Sequence, residues 1–214
     1  MKKVILIGDS IRLGYEKYVA EALKDSCEIY SPPENCRFAE YVLRYLHEWQ
    51  AQGKWPSDAD LVHWNAGLWD ALRLFGDEPM TPKEAYRNLI PRIHARIRML
   101  FPKAKIIFAT STSIVEEKYG ESFKRYNREI EEYNAIAKEA LSEADCEIND
   151  LYTVSIDVPS EARSDSTHFN TPLGAELIGG AVVRAITPWL GLSARVVSRE
   201  DAAPQKIDDA ILGY

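Results

Sequence analysis

The sequence predicts an α/β fold in which a five-stranded parallel sheet is covered by helices on both faces. Short apolar runs alternate with segments of helical periodicity along most of the chain. This alternation favours parallel strands joined by right-handed crossovers. The composition, 46% hydrophobic and 28% charged, is that of a globular protein, and 214 residues suit one domain with a sizeable core.

The elements follow one another in a regular order. Strands are predicted at about residues 3–8, 27–31, 60–65, 104–110 and 146–150, and helices at about 13–24, 37–52, 83–101, 124–143 and 172–189. The third and last helices each follow a threonine and a proline, Thr81-Pro82 and Thr171-Pro172, which is typical of a capped N-terminus. Two long connections, residues 66–82 and 111–123, fall where open α/β sheets build their sites.

Charge and composition restrict the partners. The formal net charge of −7 argues against a nucleic-acid partner and favours a neutral or cationic substrate, or a sugar. No apolar run approaches the roughly 20 residues of a membrane span, and the apolar stretch after Lys3 is too short for a signal peptide. We therefore expect a cytoplasmic protein with no membrane partner.

The three cysteines predict neither a disulfide framework nor a metal site. Cys27, Cys36 and Cys146 are odd in number and widely spaced, so we expect reduced thiols that are mostly buried. No two histidines are closely spaced, and we expect no metal.

The stretch "LIGDSIRLGY" places a hydroxyl at the end of the first strand. Ser10 would lie at the carboxyl edge of the sheet and at the N-terminus of the first helix. Unpaired N–H groups and the helix dipole would there stabilise negative charge. The same tripeptide, Gly-Asp-Ser, also serves many turns merely as turn and cap residues.

The stretch "ARSDSTHFNTPLGAELIGG" could supply a base for that serine. A serine hydroxyl needs a base to become a nucleophile, and imidazole needs a carboxylate to fix its tautomer. Asp165 and His168, three residues apart before the last helix, could supply both. The alternative is a solvated loop acid beside an exposed histidine.

The stretch "DLVHWNAGLWD" ends the third strand on an asparagine. Asn65 could aim its amide N–H at a substrate oxygen, as an oxyanion hole requires, or hydrogen-bond within its own loop. Trp64 and Trp69 could wall a substrate pocket, or pack beneath the loop.

Taken together, these three stretches resemble the SGNH hydrolases of the GDSL esterase/lipase superfamily, over nearly the whole chain. The resemblance implies a flavodoxin-like three-layer α/β/α sandwich. It also implies that Ser10 is the nucleophile, that Asp165 and His168 complete a catalytic triad, and that the Ser10 N–H and Asn65 contribute to the oxyanion hole.

The sequence departs from the family pattern in two blocks. Where the family usually has Gly-x-Asn-Asp, this chain has His63-Trp64-Asn65-Ala66. The block that normally supplies a glycine N–H to the oxyanion hole corresponds to "SPPENCRFAEYVL", which has no glycine. Arg37 is predicted to supply that N–H, with Cys36 as the alternative. The Arg37 guanidinium could in addition bind a substrate carboxylate or sugar hydroxyls; the alternative for it is a surface pair with Glu34.

The expected function is hydrolysis of a small-acyl ester, an O-acetylated carbohydrate by family analogy, through an acyl-enzyme and without a cofactor. Two alternatives remain: an acyltransferase with the same site, and a non-catalytic module that holds a phosphate at the Ser10 turn. Residues 1–190 would form the hydrolase domain. The tail, residues 191–214, would cover the domain, pair with a neighbouring subunit in a homo-oligomer, or be disordered.

Overall fold

The apolar runs of the sequence form the strands of a parallel sheet. The computed structural model describes residues 1–204. Its strands, in chain order, are β1 (Lys2–Ile7), β2 (Cys27–Tyr30), β3 (Leu61–Trp64), β4 (Arg73–Leu74), β5 (Lys105–Ala109), β6 (Phe123–Lys124) and β7 (Glu147–Asn149). The central sheet is parallel with the order β2-β1-β3-β5-β7, and β4 pairs with β6 in a separate antiparallel sheet.

Helices cover both faces of this sheet. They are α1 (Ser10–Leu23), α2 (Ala39–Gln52), α3 (Lys83–Leu100), α4 (Asn127–Ala140), α5 (Leu151–Ile156), α6 (Pro172–Leu190) and α7 (Arg199–Ala202). Helix α1 packs against α6, and α3 packs between α2 and α4. The predicted three-layer α/β/α fold is therefore confirmed.

The central strands are buried on both faces, as expected for a parallel sheet enclosed by helices. All four residues of β3 and the last four of β1 are buried. Ile7 pairs with Trp64, and Trp64 pairs with Phe108, so the carboxyl ends of β1, β3 and β5 lie level with one another. The loops that leave these three strands therefore meet at one edge of the sheet.

Helix α6 is more apolar than we expected. It has 19 residues with a mean hydropathy of 1.2, so by length and composition alone it could cross a membrane, although half of that stretch is buried inside the fold. Glu176 and Arg184 interrupt the apolar sequence, and α6 packs along α1. These contacts are typical of a core helix.

Of the two threonine residues that were predicted to cap helices, one does so in the structure. Thr171 caps α6, since its hydroxyl accepts a hydrogen bond from Gly174 N–H at 3.0 Å and Pro172 occupies the first turn. Thr81 does not cap α3, which begins at Lys83 after Pro82 with no side-chain cap. The carbonyl of Thr81 instead accepts a hydrogen bond from the buried Tyr133 hydroxyl.

The fourth helix begins later than predicted. Its first residue is Asn127 rather than residue 124, because Phe123 and Lys124 pair with Leu74 and Arg73. The Asn127 side chain accepts a hydrogen bond from Ile114 N–H at 2.9 Å and donates one to the Ile114 carbonyl at 3.0 Å. The two long connections of the sequence are thus joined by a small sheet, β4–β6, above the carboxyl edge.

The described part of the tail packs on the domain. Arg195 N–H donates to the Ala22 carbonyl at 3.1 Å, and Lys17 Nζ donates to the Ala203 carbonyl at 3.1 Å. Arg199 forms an ion pair with Glu176 of α6. Residues 205–214, which the sequence analysis assigned to the same tail, lie outside the described residues.

Candidate active site

Ser10 lies where β1 gives way to α1. It is the first residue of the helix, and Asp9 caps the helix through a hydrogen bond that its carboxylate accepts from Ile11 N–H at 3.0 Å. The Ser10 side chain is 3% exposed and lines a small cleft. Because the N–H groups of the first helical turn have no partner within the helix, Ser10 N–H is suited to bind a negatively charged oxygen.

The Asp165–His168 loop folds back on itself around one carboxylate. Asp165 Oδ1 accepts hydrogen bonds from Thr167 N–H and His168 N–H, both at 2.7 Å. Ser164 N–H closes the loop by donating to the His168 carbonyl at 3.0 Å. The Asp-x-x-His spacing therefore brings the histidine back onto the aspartate through a local turn.

The three predicted triad residues are hydrogen-bonded in sequence. Asp165 Oδ2 lies 2.8 Å from His168 Nδ1, and His168 Nε2 lies 2.8 Å from Ser10 Oγ. Burial raises the pKa of Asp165, but its hydrogen bonds and the nearby His168 charge outweigh burial and lower it to about 2. An ionised Asp165 only accepts, so the proton lies on Nδ1, and Nε2 accepts the hydrogen bond from the Ser10 hydroxyl.

Asn65 lies at the end of β3, next to this site. Its N–H donates to the Ile7 carbonyl at 3.0 Å, which fixes the residue beside the β1–α1 turn. Its side chain fills the space above Gly8, where a β-carbon would lie 2.0 Å from Asn65 Oδ1. The structure therefore brings Asn65 together with the Ser10 turn, as the sequence predicted.

Arg37 does not occupy the predicted role. Its N–H donates to Asn35 Oδ1 at 2.9 Å, within a turn in which Arg37 has a φ of 49°. Its guanidinium lies 3.9 Å from Glu34 and packs over the Tyr41 ring. The alternative donor, Cys36 N–H, is also engaged, since it donates to the Gly8 carbonyl at 3.2 Å. The prediction that Arg37, or alternatively Cys36, donates its N–H to the oxyanion hole is therefore wrong, because both N–H groups already have acceptors within the protein.

The two predicted substrate-binding tryptophans have different positions. Trp64 is completely buried in β3, where its ring packs against Phe108. It cannot contact a substrate, so this prediction is wrong; both faces of the central strand are covered. Trp69 lies in the loop after β3 and does line the cleft that holds Ser10 and His168.

The cleft contains residues that sequence reasoning missed. Besides Ser10, Trp69 and His168, its lining consists of Leu68, Phe123, Arg125 and Thr167. Arg125 was placed in a helix by periodicity, and no sequence signal distinguished it from a solvated basic residue. The β4–β6 sheet brings it to the cleft, since it holds Phe123 against the loop after β3.

Two more carboxyl groups are buried close to each other near the site. Burial raises the pKa of Asp9, even though Ile11 N–H donates to its carboxylate. Burial also raises the pKa of Asp70, to about 7, and both of its oxygens lie 3.1 Å from Ala39 N–H at the start of α2. Neither group contacts His168 by a hydrogen bond, so Asp165 remains the partner of the imidazole.

Within residues 1–204, no group of three or more His, Cys, Asp or Glu side chains is arranged to hold a metal ion. All three cysteines are free, and two of them, Cys27 and Cys36, are buried. The polar side chains that line the cleft are Ser10, Thr167, His168 and Arg125, while Asp165 is hydrogen-bonded to His168 and Asn65 lies beside the Ser10 turn.

Comparison with solved structures identifies the fold, although no protein-family profile and no curated protein matches the sequence. A lipase/acylhydrolase from Enterococcus faecalis superposes with a TM-score of 0.70 over 92% of this chain and 100% of that chain, at 21% identity. The chain has the fold of the SGNH hydrolases. The predicted resemblance is thus confirmed at the level of the fold.

Two carbohydrate-active structures share this SGNH fold. A carbohydrate acetylesterase family member from Sinorhizobium meliloti has a TM-score of 0.66 at 17% identity, over 90% of this chain and 100% of that one. An acetyl xylan esterase has a TM-score of 0.62 at 19% identity, over 86% of this chain and 99% of that one. In this chain, Ser10 follows β1 at the carboxyl edge of the parallel sheet, and His168 contacts it there.

Proposed function

We propose that the protein is a serine ester hydrolase that acts on a small-acyl ester through an acyl-enzyme. The observation that carries this proposal is the continuous chain of hydrogen bonds from Asp165 through His168 to Ser10, with both side-chain links at 2.8 Å. A nucleophile, a base and an orienting carboxylate in this order are the arrangement that activates a serine hydroxyl.

In the first half-reaction, Ser10 Oγ attacks the ester carbonyl carbon while His168 Nε2 takes the hydroxyl proton. The negative charge that develops on the carbonyl oxygen is stabilised by Ser10 N–H and the Asn65 amide. When the intermediate collapses, the carbon–oxygen bond to the alcohol breaks, and His168 returns its proton to the departing oxygen. The alcohol leaves, and the acyl group remains on Ser10.

In the second half-reaction, water takes the place of the alcohol. His168 accepts a proton from the water as its oxygen attacks the acyl carbon, and then returns that proton to Ser10 Oγ as the ester bond breaks. The products are the carboxylic acid and the free serine. Throughout, the ionised Asp165 stabilises the imidazolium form of His168 and holds the ring in place.

The cleft supports a small acyl group. The space within it that the centre of a water molecule can reach is only about 10 Å³, roughly the volume of one water-sized sphere. The esterases of similar fold that act on acetylated carbohydrates support an O-acetyl sugar as the substrate. Trp69, at the cleft wall, offers a ring on which a sugar could stack.

The test is covalent labelling by a neutral organophosphonate, followed by intact mass and peptide mapping. We expect one adduct, on Ser10, and none in Ser10→Ala. Substrate class is then measured with p-nitrophenyl esters of increasing acyl length and with acetylated sugars, where the acetyl esters should be hydrolysed fastest. Adding sugar acceptors and analysing the products distinguishes hydrolysis from acyl transfer. No adduct and no ester hydrolysis would favour the non-catalytic binding module.

A further inference from the structure

Arg125 places a positive charge in the wall of the cleft that holds Ser10 and His168. The side chain is 2% exposed, and its Nε donates to the Leu68 carbonyl at 2.6 Å. Its Nη1 lies 3.3 Å from the Tyr119 hydroxyl. Its Nη2 has no hydrogen-bond partner among residues 1–204. Part of the guanidinium is thus fixed by the protein, and one amino group is left for another acceptor.

No carboxylate of the described chain pairs with this guanidinium. The other arginine that is buried to the same degree, Arg12, forms an ion pair with Glu16. Arg73, on the neighbouring strand β4, pairs with Glu129 at 2.7 Å. Arg125 has no such partner within 4.0 Å in the part of the chain that the structure describes. A buried charge without a counter-charge is costly, so its presence beside a nucleophile points to a ligand.

Asp9 interacts electrostatically with Arg125, but it is a poor counter-charge. Its carboxyl is buried and already accepts the Ile11 N–H, and burial raises its pKa and so favours the neutral form. Asp165, the other acid of the site, uses both of its oxygens on the Thr167 and His168 loop. Neither carboxylate neutralises Arg125 by direct contact.

Two aromatic rings lie against the Arg125 guanidinium. Its guanidinium carbon lies 5.1 Å from the Phe123 ring centroid and 5.7 Å from that of Trp69. Both rings also line the cleft. A cation held between aromatic faces is partly desolvated, and its attraction for an anion is correspondingly stronger than in water.

We propose that Arg125 binds a carboxylate of the ester substrate, carried within a few atoms of the scissile carbonyl. This proposal rests on the proposed esterase function and names its substrate class more narrowly. A planar guanidinium with an open edge matches the two oxygens of a carboxylate. The net charge of −7 led us to favour neutral or cationic substrates, but charges beyond about 10 Å are screened at physiological salt, whereas Arg125 would act at contact.

The experiment uses two matched pairs of esters that differ in one charge. For a carboxylate on the acyl side, the pair is mono-p-nitrophenyl succinate and its methyl ester. For a carboxylate on the alcohol side, it is 4-acetoxybenzoate and its methyl ester. The ratio of kcat/KM for the charged member to that for the neutral member is measured for the wild type, Arg125→Gln, Arg125→Lys and Arg73→Gln.

We expect one pair to show a wild-type preference for the charged ester that Arg125→Gln lowers by about tenfold or more, mainly through KM. Arg125→Lys should keep part of the preference, because it keeps the charge. Arg73→Gln removes the ion pair between Arg73 of β4 and Glu129, so it is the control for a loss of rigidity in the β4–β6 sheet. Its ratio of kcat/KM for the charged and neutral esters should match that of the wild type.

Two kinds of failure are distinguishable. The carboxylate proposal is overturned if Arg125→Gln lowers the rates for both members of each pair equally, or if neither pair shows a charge preference. Arg125 would then have only a structural role in holding the loops together. Labelling of Ser10 by the neutral organophosphonate would still stand in that case. If Ser10 is not labelled and no ester is hydrolysed, the esterase function itself fails, and this proposal fails with it.

Discussion

Gly8 and Asn65 share one small space beside the nucleophile. A β-carbon at Gly8 would lie 2.0 Å from Asn65 Oδ1 and 2.9 Å from Cβ of Arg12, well inside van der Waals contact. Only glycine therefore lets the end of β1 approach β3 closely enough for Asn65 to lie beside Ser10. The contribution of Gly8 to the site is therefore to leave room for the side chain of Asn65.

We expect Gly8→Ala to lower kcat, because the added methyl group displaces the Asn65 amide from the developing oxyanion. KM should change less, since this contact strengthens only in the transition state. Steady-state kinetics on p-nitrophenyl acetate measure both constants. Gly120→Ala is the matched control, as nothing lies within 4 Å of a β-carbon at that position. Equal kcat values for the two variants would show that Gly8 does not determine the position of the oxyanion donor.

Asn65→Ala is expected to lower kcat by a factor on the order of 10²–10³, as the loss of one oxyanion donor does in other enzymes. The role rests on the amide N–H, so Asn65→Asp, which keeps the shape but not the donor, should be at least as slow. Kinetics on the best small-acyl ester test this. Full kcat in both variants would exclude Asn65 from the mechanism.

The pH dependence of kcat/KM should show one ionisation on its acid side. Because Asp165 has its pKa lowered to about 2, it stays ionised wherever the enzyme is folded and assayed. The mechanism uses one base, which must be neutral to accept the Ser10 proton, so the plot of log(kcat/KM) against pH should have a slope of one on its acid side. A slope of two in the plot of log(kcat/KM) against pH, on its acid side, would mean that a second group, such as Asp165, loses its proton in the same pH range.

Asp70 should make folding stability depend on pH. Its folded-state pKa is raised to about 7 by burial, whereas an unfolded aspartate has a pKa of about 3.9. A carboxyl with a raised pKa favours the folded state below its unfolded pKa, and this contribution is lost as the pH rises through about 7. Relative to Asp70→Asn, the wild type should lose on the order of 2–4 kcal/mol between about pH 4 and pH 8.

Urea unfolding of both proteins at several pH values in this range measures the difference. The asparagine variant keeps an oxygen for the Ala39 N–H, so the start of α2 retains its partner. A wild-type curve parallel to that of Asp70→Asn would show that Asp70 titrates in the folded protein as it does in the unfolded chain.

The sequence predicted those parts of the site that depend on local patterns. Ser10 follows an apolar run directly, and Asp165 and His168 are joined by a turn whose hydrogen bonds lie within four residues. Their positions follow once the strand and helix order is known. Asn65 was predictable for the same reason, because it ends the strand that pairs with β1.

What the sequence could not predict depends on contacts between distant loops. Arg125 reaches the cleft because Phe123 and Lys124 pair with a strand about 50 residues earlier, and two-residue strands leave no periodic signal. Trp64 looked like a pocket residue because it precedes Asn65, but alternate positions of a central strand are both buried. At Arg37, the side-chain oxygen of Asn35 accepts a hydrogen bond from the N–H that sequence position predicts for the oxyanion hole.

The nucleophile and the base should act as one unit. His168→Ala should reduce ester turnover nearly as much as Ser10→Ala, and the double variant should be scarcely slower than either single one, because each residue is ineffective without the other. Turnover by the three variants on one ester measures this. Losses that multiply in the double variant would indicate two independent contributions.

Ser10 as the nucleophile is tested by the turnover number of Ser10→Ala on the best ester, measured on protein whose circular dichroism and melting temperature match the wild type. We expect a loss on the order of 10⁴-fold or more with the fold intact, since the hydroxyl that His168 activates at 2.8 Å is gone. Wild-type turnover by a purified, folded Ser10→Ala variant would exclude Ser10 as the nucleophile, and the Gly-Asp-Ser turn would then have only a structural role.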